Sequence, residues 1–358
     1  MRLLLAGGGT GGHLFPAVAL AEQLRREEPA AEVLFVGTER GLEYRLLPEL
    51  GWPLRTIPMS GWAGLGFAAR FRALGGLVKS LGQSRRIIGQ FHPDVVVGVG
   101  GYASVPVLLA ARLKGVPYLI HEQNAWPGLA NRLLGRWAKR ICLSFAEAGK
   151  AFRRAPVVVT GNPVRAGMES CPPPPQGPPL LLVFGGSHGA RAINRALVAA
   201  LPQLERWRGT LQIIHQAGAN EVEPVRAGYR SAGWEGVEVI PFITDMATAY
   251  ARSSLVVCRA GATTLAELTA CGRPAVLIPY PFAASNHQAT NAAALASRGA
   301  AIMIEERDLK PEELGILIDG LLADRPRLAS MSVTARSMAQ CGAAGRLLAE
   351  CRAVASCT

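Results

Sequence analysis

The chain of 358 residues has little lysine, few aromatic residues and no closely paired cysteines. None of its seven cysteines shows the C-x-x-C spacing of a zinc or redox site, so we expect buried or incidental thiols and no metal. Every long uncharged run is broken by glycine or proline, which argues against a transmembrane helix. An apolar strand begins within the first residues, so we expect no signal peptide and a cytoplasmic protein.

The charge balance favours anionic partners. The net charge is +12, with 49% hydrophobic and 18% charged residues, which excludes disorder and allows two domains with separate cores. Only five of the 38 basic residues are lysine. Arginine suits diphosphates, although a genome-wide bias explains the excess at least as well. No nucleic-acid motif is present and aromatics are only 6%, so we expect phosphate ligands or an anionic membrane surface and no nucleic acid.

Two apolar strands about half the chain apart each run into a glycine-rich loop and a helix. The first, at 3–6, is followed by GGGTGGH at 7–13, and the second, at 180–184, by GGSHGAR at 185–191. Backbone N–H groups at such helix starts suit phosphate. The proline-rich segment 171–179 reads as a linker. The pattern predicts twin nucleotide-binding domains.

Short apolar strands separated by helix-length segments recur in both halves, which predicts doubly wound parallel sheets with ligands beyond the carboxyl ends of the strands. Helices are predicted at 14–25 and from about 327 to 355. The remaining strands are predicted at 33–36, 94–101, 117–120, 157–160, 211–215, 237–240, 255–258 and 275–278.

The first glycine loop contains one candidate base. Its G-x-G-x-x-G spacing also matches a dinucleotide fingerprint, but the second strand ends in Gly37-Thr38, with Glu39 just beyond, where that fingerprint requires an acidic residue. His13 lies at a helix start, where the macrodipole disfavours the imidazolium form. A neutral histidine there can take a proton from an attacking hydroxyl. The alternative is a histidine that caps or packs.

Two clusters in the second half suit a sugar nucleotide. The segment 261–267 offers a helix start, the hydroxyls of Thr263 and Thr264 and the carboxylate of Glu267, which could hold a diphosphate and a ribose. The alternative is a capping box between Thr264 and Glu267. The polar run 286–291, after a proline-bracketed turn, suits sugar hydroxyls or is an ordinary helix start.

Residues 59–86 combine an apolar loop with a basic amphipathic helix. Phe67, Phe71, Leu74, Val78 and Leu81 follow at helical spacing among arginines and a lysine. This favours an anchor on an anionic membrane surface; the alternative is a helix that faces the core.

Taken together, these motifs closely resemble the MurG family of peripheral membrane glycosyltransferases, which add N-acetylglucosamine to lipid I. The resemblance runs nearly end to end, through GGTGGH at 8–13, GVGGYAS at 98–104, HEQN at 121–124, GNPVR at 161–165, GGSHGAR at 185–191, PFITDM at 241–246, CRAGATTLAE at 258–267 and HQATNA at 287–292. It implies an α/β fold of GT-B architecture, with two Rossmann-like domains whose parallel sheets face each other across a cleft. The domains would be 1–162 (acceptor and membrane side) and 163–340 (donor side), with 341–358 a helix that returns to the first.

The resemblance also assigns the donor site, for UDP-N-acetylglucosamine (UDP-GlcNAc). Phe242 and Ile243 would face the uracil and Glu267 the ribose. Arg165 would respond to the donor. The other implied donor contacts are Ser187 with Ala262, Thr263 and Thr264 at the diphosphate, Leu265 and Ala266 beside them, and Gln288 and Asn291 at the sugar.

On the acceptor side the resemblance implies Thr10, Gly11, Gly12 and Asn124. Our hypothesis is that His13 is the catalytic base, with Glu122 as the next candidate. No cofactor is implied, and the partners would be UDP-GlcNAc, lipid I and the cytoplasmic face of the membrane. The chain departs from the family pattern at His188, Thr263 and Asn286, and Asn286 puts the sugar contacts in doubt. Two alternatives remain: a UDP-GlcNAc epimerase, and a non-catalytic membrane-docking subunit that binds a sugar nucleotide.

Overall fold

The computed structural model describes residues 1–59, 67–187, 189–283 and 286–356, without the side chains of residues 67–75. The chain forms two compact units. The first comprises Met1–Val164 with Gly342–Thr358, and the second Arg165–Cys341. The boundaries expected from the sequence fell after residues 162 and 340.

The first unit is built on a parallel seven-stranded sheet with the order β3-β2-β1-β4-β5-β6-β7. Its strands are β1 (Arg2–Gly7), β2 (Glu32–Gly37), β3 (Leu54–Thr56), β4 (Val95–Gly100), β5 (Tyr118–Glu122), β6 (Arg140–Leu143) and β7 (Val157–Val159). Its helices are α1 (Gly11–Glu27), α2 (Leu42–Glu49), α3 (Phe67–Phe91), α4 (Ser104–Leu113) and α5 (Leu129–Leu134). Short 3-10 helices lie at Gly135–Trp137 and Ala146–Ala151. Apolar residues of the central strands are buried on both faces, as a doubly wound sheet requires.

The second unit repeats the plan with a parallel six-stranded sheet in the order β10-β9-β8-β11-β12-β13. Its strands are β8 (Leu180–Phe184), β9 (Gln212–Gln216), β10 (Glu238–Ile240), β11 (Leu255–Cys258), β12 (Ala275–Leu277) and β13 (Ala301–Met303). Its helices are α6 (Arg191–Ala199), α7 (Val222–Ser231), α8 (Met246–Arg252), α9 (Ala262–Cys271), α10 (His287–Ala296), α11 (Pro311–Ala323) and α12 (Arg325–Ser337), with 3-10 helices at Leu201–Trp207 and Glu306–Asp308.

The last helix, α13 (Ala343–Ala355), packs within the first unit. Leu347, Leu348 and Cys351 join the core formed by α1 and the sheet. Arg352 binds the carboxylates of Glu27 and Glu28 at the end of α1. The single helical segment expected from 327 to 355 is wrong in one respect, because α12 and α13 are separate helices.

Both glycine loops occupy the same topological place. In each sheet the strand order reverses at the first strand, β1 or β8, and the glycine loop follows that strand directly. This is where ligands bind in open parallel sheets. Among the residues that the structure describes, no helix has the length and apolar character needed to cross a membrane.

Candidate active site

In the first unit, the loop after β1 closes around a buried carboxylate that the sequence did not indicate. Glu43, in α2, is 1% exposed. Its Oε2 accepts a hydrogen bond from the Gly9 N–H at 2.7 Å, and its Oε1 accepts from the backbone N–H and the hydroxyl of Thr38. A β-carbon at Gly8 would overlap this carboxylate. The loop therefore already holds an internal anion, and the Gly9 N–H is occupied. Glu39, which we considered for a ribose, accepts from the Thr56 hydroxyl instead.

His13 lies in the first turn of α1 and is half-buried. Its Nδ1 is 3.0 Å from Oε1 of Gln123, just after β5. A β-carbon at Gly100 would lie 2.9 Å from Cε1 and Nδ1 of the ring, so the ring packs on the glycine at the end of β4. Thr10 and Gly12 are exposed beside it. The structure thus brings the ends of β1, β4 and β5 together at His13, and Gln123 is a contact that we did not assign from the sequence.

Glu122, the other candidate base, holds a loop together. It is 1% exposed, and its Oε1 accepts hydrogen bonds from the backbone and side-chain N–H groups of Asn124 at 3.0 and 3.2 Å. Its Oε2 accepts from the Gly128 N–H at 3.1 Å and the Asn131 side chain at 2.8 Å. Both oxygens are engaged by N–H donors. The same bonds position Asn124.

In the second unit, Gln216 joins two predicted donor segments. Its Nε2 donates to the carbonyl of Gly186 at 2.6 Å, and its Oε1 accepts from the Ile243 N–H at 2.9 Å. The loop that carries the half-buried Ser187 is therefore tied to the buried Ile243. Gln216 was missed, although a polar residue at the end of a predicted strand was a usable signal. His188 lies outside the described residues.

The helix α9 begins at Ala262, with Gly261 as its N-cap. Thr264 therefore lies inside the helix, and the capping box considered from the sequence is wrong. Thr263 is buried in the first turn. Gly261 makes no side-chain cap, so this helix start presents backbone N–H groups and its positive dipole end.

Glu267, one turn further along α9, pairs with Arg165 at two points. Nε of Arg165 donates to Oε1 at 2.7 Å and Nη2 donates to Oε2 at 2.9 Å, with the side chains 17% and 2% exposed. Burial is the largest influence on the pKa of Arg165 and lowers it, but the charge and hydrogen bonds of Glu267 outweigh it, so this pKa is raised. The Tyr250 hydroxyl lies 3.5 Å from Oε2.

The predicted sugar-binding side chains lie on α10. Asn286, its N-cap, has a φ of 54°, a left-handed conformation that asparagine tolerates better than most residues. Gln288 accepts the Tyr280 N–H at 3.0 Å through its Oε1. Asn291 is 1% exposed, and neither its Oδ1 nor its Nδ2 has a hydrogen-bond partner in the described part of the chain. Buried amides are ordinarily satisfied, so Asn291 needs an explanation.

Comparison with known proteins defines the class first. Residues 3–143 match the family model described as "Glycosyltransferase family 28 N-terminal domain". Residues 180–345 match the model described as "Glycosyltransferase family 28 C-terminal domain". The chain is therefore a glycosyltransferase of two α/β units, and the GT-B fold class expected from the sequence is confirmed.

The particular family follows from individual relatives. The chain is 58% identical, over 99% of each chain, to the UDP-N-acetylglucosamine--N-acetylmuramyl-(pentapeptide) pyrophosphoryl-undecaprenol N-acetylglucosamine transferase of Syntrophotalea carbinolica. It is 36% identical to the crystal structure of Acinetobacter baumannii MurG, with a TM-score of 0.74 and coverage of 98% and 99%. This chain belongs to the MurG family. A putative UDP-N-acetylglucosamine 2-epimerase from Listeria monocytogenes, at 16% identity, TM-score 0.67 and coverage of 97% and 94%, shares the fold.

Proposed function

We propose that this chain transfers N-acetylglucosamine from UDP-GlcNAc to the C4 hydroxyl of N-acetylmuramic acid in lipid I, with inversion, to give lipid II for peptidoglycan synthesis. Within the site, the proposal rests on the amide of Asn291, which is buried without a hydrogen-bond partner among the described residues. Such a group costs about 1–3 kcal/mol. A sugar ring, with hydroxyls that both donate and accept, would satisfy both of its atoms.

The second unit would bind the donor. The start of α9 at Ala262–Thr264 and the loop of Ser187 would face the diphosphate, because helix N-termini and adjacent N–H groups bind anions. Ile243 would face the uracil. Leu265 and Ala266, the next residues of α9, would lie beside the donor as well. Gln288 would offer its amide nitrogen to a sugar hydroxyl, since its oxygen holds the Tyr280 N–H.

Glu267 would bind the two hydroxyls of the ribose through its two oxygens. Both oxygens hold Arg165 in the ligand-free chain. The ribose would therefore either share the carboxylate with Arg165 or displace it. Either outcome makes Arg165 sensitive to donor binding.

The first unit would supply the base. As the acceptor's C4 oxygen forms its bond to C1 of N-acetylglucosamine, the bond from C1 to the UDP oxygen breaks and His13 takes the hydroxyl proton. The charge that develops on the UDP would be stabilised by the start of α9. Glu122 is a poorer base, because four N–H groups already occupy its oxygens. Thr10, Gly11, Gly12 and Asn124 would approach the acceptor.

The first unit would also contact the anionic cytoplasmic face of the membrane. Exposed apolar side chains lie at the end of α4, in the loop before α5, on α5 and in the 3-10 helix after it, beside arginines. Guanidinium groups of Arg112 and Arg136 lie 4.6 and 5.4 Å from the ring centroid of Trp137, and that of Arg132 lies 5.9 Å from Trp126. Tryptophan and arginine together suit a lipid headgroup layer. The exposed apolar side chains are Leu113, Trp126, Leu129, Leu133 and Trp137.

The anchor expected at residues 59–86 is described only in part. Residues 60–66 and the side chains of 67–75 lie outside the described residues. Val78 is 69% exposed, whereas Leu81 packs against the core of the first unit. Among the described residues of this segment, the exposed Val78 and the exposed basic side chains of Lys79, Arg85 and Arg86 support the membrane proposal.

One assay tests the reaction and separates the alternatives. UDP-GlcNAc labelled in the sugar is incubated with and without a lipid I analogue. We expect label in a lipid II product only when the acceptor is present. Conversion of UDP-GlcNAc to its 2-epimer without acceptor would indicate an epimerase instead, and binding without any conversion would indicate a non-catalytic subunit.

A second assay tests the membrane surface. Sedimentation with phosphatidylglycerol vesicles should retain the protein, and phosphatidylcholine vesicles should retain much less. Trp137→Ser should weaken retention, whereas Val333→Ser, which removes an exposed apolar residue of the second unit, should not. Equal retention of both variants would contradict the proposal.

A further inference from the structure

A chain of hydrogen bonds beneath His13 begins at a buried histidine. His121 in β5 is fully buried, and its Nε2 lies 3.0 Å from the carbonyl oxygen of Gly161. A carbonyl only accepts, so Nε2 of His121 must carry a hydrogen. Burial lowers the pKa of His121 to about 4, so the ring is neutral near pH 7. Its Nδ1 is therefore an acceptor.

Because Nδ1 of His121 is an acceptor, the orientation of the Gln123 amide can be assigned. One nitrogen or oxygen atom of the Gln123 amide lies 3.0 Å from Nδ1 of His121, 3.0 Å from the carbonyl of Val99 and 3.2 Å from the carbonyl of His121. All three neighbours are acceptors, so this atom must be the NH₂ group. The amide oxygen then faces His13 at 3.0 Å. A flipped amide would place an oxygen against three acceptors.

The orientation of the Gln123 amide determines the tautomer of His13. Because Oε1 of Gln123 can only accept, Nδ1 of His13 must carry the hydrogen, and the lone pair of the neutral ring lies on Nε2. Contact with Gly100 fixes the ring at the same time, since a β-carbon there would lie 2.9 Å from the ring. Free histidine prefers the opposite tautomer, which would turn its basic nitrogen toward Gln123.

We propose that Gln123 is a positioning residue that holds His13 in the Nδ1–H tautomer and so directs the basic Nε2 toward the acceptor hydroxyl. The role of His13 as base rests on the proposed function, but the tautomer does not. A histidine base held in the wrong tautomer is strongly impaired, by about 10⁴-fold in kcat in the serine-protease triad.

The direct test is nitrogen NMR of the full-length protein labelled with ¹⁵N-histidine. The His13 ring signals are identified by their loss in His13→Gln. Above the pH at which the ring titrates, we expect Nδ1 to show the shift of a protonated nitrogen and Nε2 that of an unprotonated one. The opposite pattern in the wild-type protein would overturn the proposal without any variant of Gln123.

Two variants separate the contact with His13 from general damage. Gln123→Met and Gln123→Glu both lose the NH₂ donors to Val99 and His121, and only glutamate keeps an acceptor for His13. Glutamate also places a second oxygen against the three acceptors, so its stability is measured alongside. We expect Gln123→Met to move the hydrogen to Nε2 and to lower kcat, by up to the about 10²- to 10⁴-fold that a general base contributes, with little change in the KM for UDP-GlcNAc. Gln123→Glu should keep the Nδ1–H tautomer. Equal tautomers in both variants would contradict the assignment.

Gln216→Met serves as the matched control, and His13→Ala tests the base separately from the tautomer. Gln216→Met removes a loop-bridging glutamine of the second unit and should leave the His13 ring signals unchanged. If His13→Ala keeps near-normal turnover, the base assignment fails while the tautomer result stands. If His13→Ala is inactive but the tautomer is wrong, the inference about Gln123 fails alone.

Discussion

Replacing Glu267 with glutamine tests the buried ion pair of the second unit. The carboxylate binds Arg165 through two hydrogen bonds of 2.7 and 2.9 Å and is 2% exposed. Removing one partner of a buried pair costs about 3–5 kcal/mol, because the remaining charge is left uncompensated. Glutamine keeps one oxygen acceptor, so we expect the lower end, about 3 kcal/mol. At roughly 2–4 °C per kcal/mol for a unit of this size, the Tm of the second unit should fall by about 6–12 °C.

The assay is scanning calorimetry, with hydrogen exchange of the α9 peptide to assign the transition to the second unit. Glu205→Gln is the matched control. Its pair with Arg208 is exposed, with side chains 57% and 46% accessible, and such pairs contribute at most about 1 kcal/mol. Its Tm should therefore change much less than that of Glu267→Gln.

A double variant decides whether the ion pair causes the loss. Arg165→Met with Glu267→Leu replaces both charges by apolar side chains, which is often neutral for buried pairs. We expect the double variant to be more stable than either single variant, yet not to gain stability from saturating UDP. Wild type should gain about 2.7 kcal/mol at 100-fold excess over Kd. Additive losses in the double variant, or a Glu267→Gln variant as stable as the control, would refute the reasoning.

Three further predictions follow from buried groups. Asn291→Leu removes an unpaired buried amide and should raise the free energy of unfolding by about 1–3 kcal/mol, while calorimetric affinity for UDP-GlcNAc falls; a destabilised variant would contradict this. Burial lowers the pKa of His121 to about 4 and of His215 to about 3, so the unfolded state binds more protons as pH falls below about 6.5. The free energy of unfolding should then decrease by up to about 1.4 kcal/mol per pH unit for each histidine. The decrease should be less steep in His215→Gln, and denaturant titrations from pH 7 to 5 measure it. Glu43→Gln places an NH₂ group against backbone N–H donors and should cost about 1–3 kcal/mol and lower kcat; unchanged melting and turnover would refute it.

The parallel α/β architecture could be predicted because buried parallel strands are continuous apolar runs. Three strands were missed, and each has a physical reason. β3 (Leu54–Thr56) contains a single apolar residue, and β13 (Ala301–Met303) combines alanine and methionine, which favour helices, with one isoleucine. β6 begins with Arg140, whose charge pairs with Glu350 of α13, a contact far away in sequence.

Candidate site residues on glycine loops and helix starts could be proposed from the sequence because their chemistry is local. The residues that hold them in place could not. Glu43, Gln123 and Gln216 each act through a backbone group or a side chain on another strand or loop. Such partners are defined by the register of the sheet, which a single sequence does not contain.

The two glycine loops have similar sequences, but the side chains that bind them differ in charge. Both follow the first strand of a parallel sheet at its switch point, but Glu43 takes an N–H of the first loop, whereas Gln216 binds a carbonyl of the second. The carboxylate of Glu43 offsets the positive field at the start of α1, whereas the neutral amide of Gln216 brings no negative charge to the second loop. We infer that the second loop suits a diphosphate and that the first suits a neutral hydroxyl beside His13.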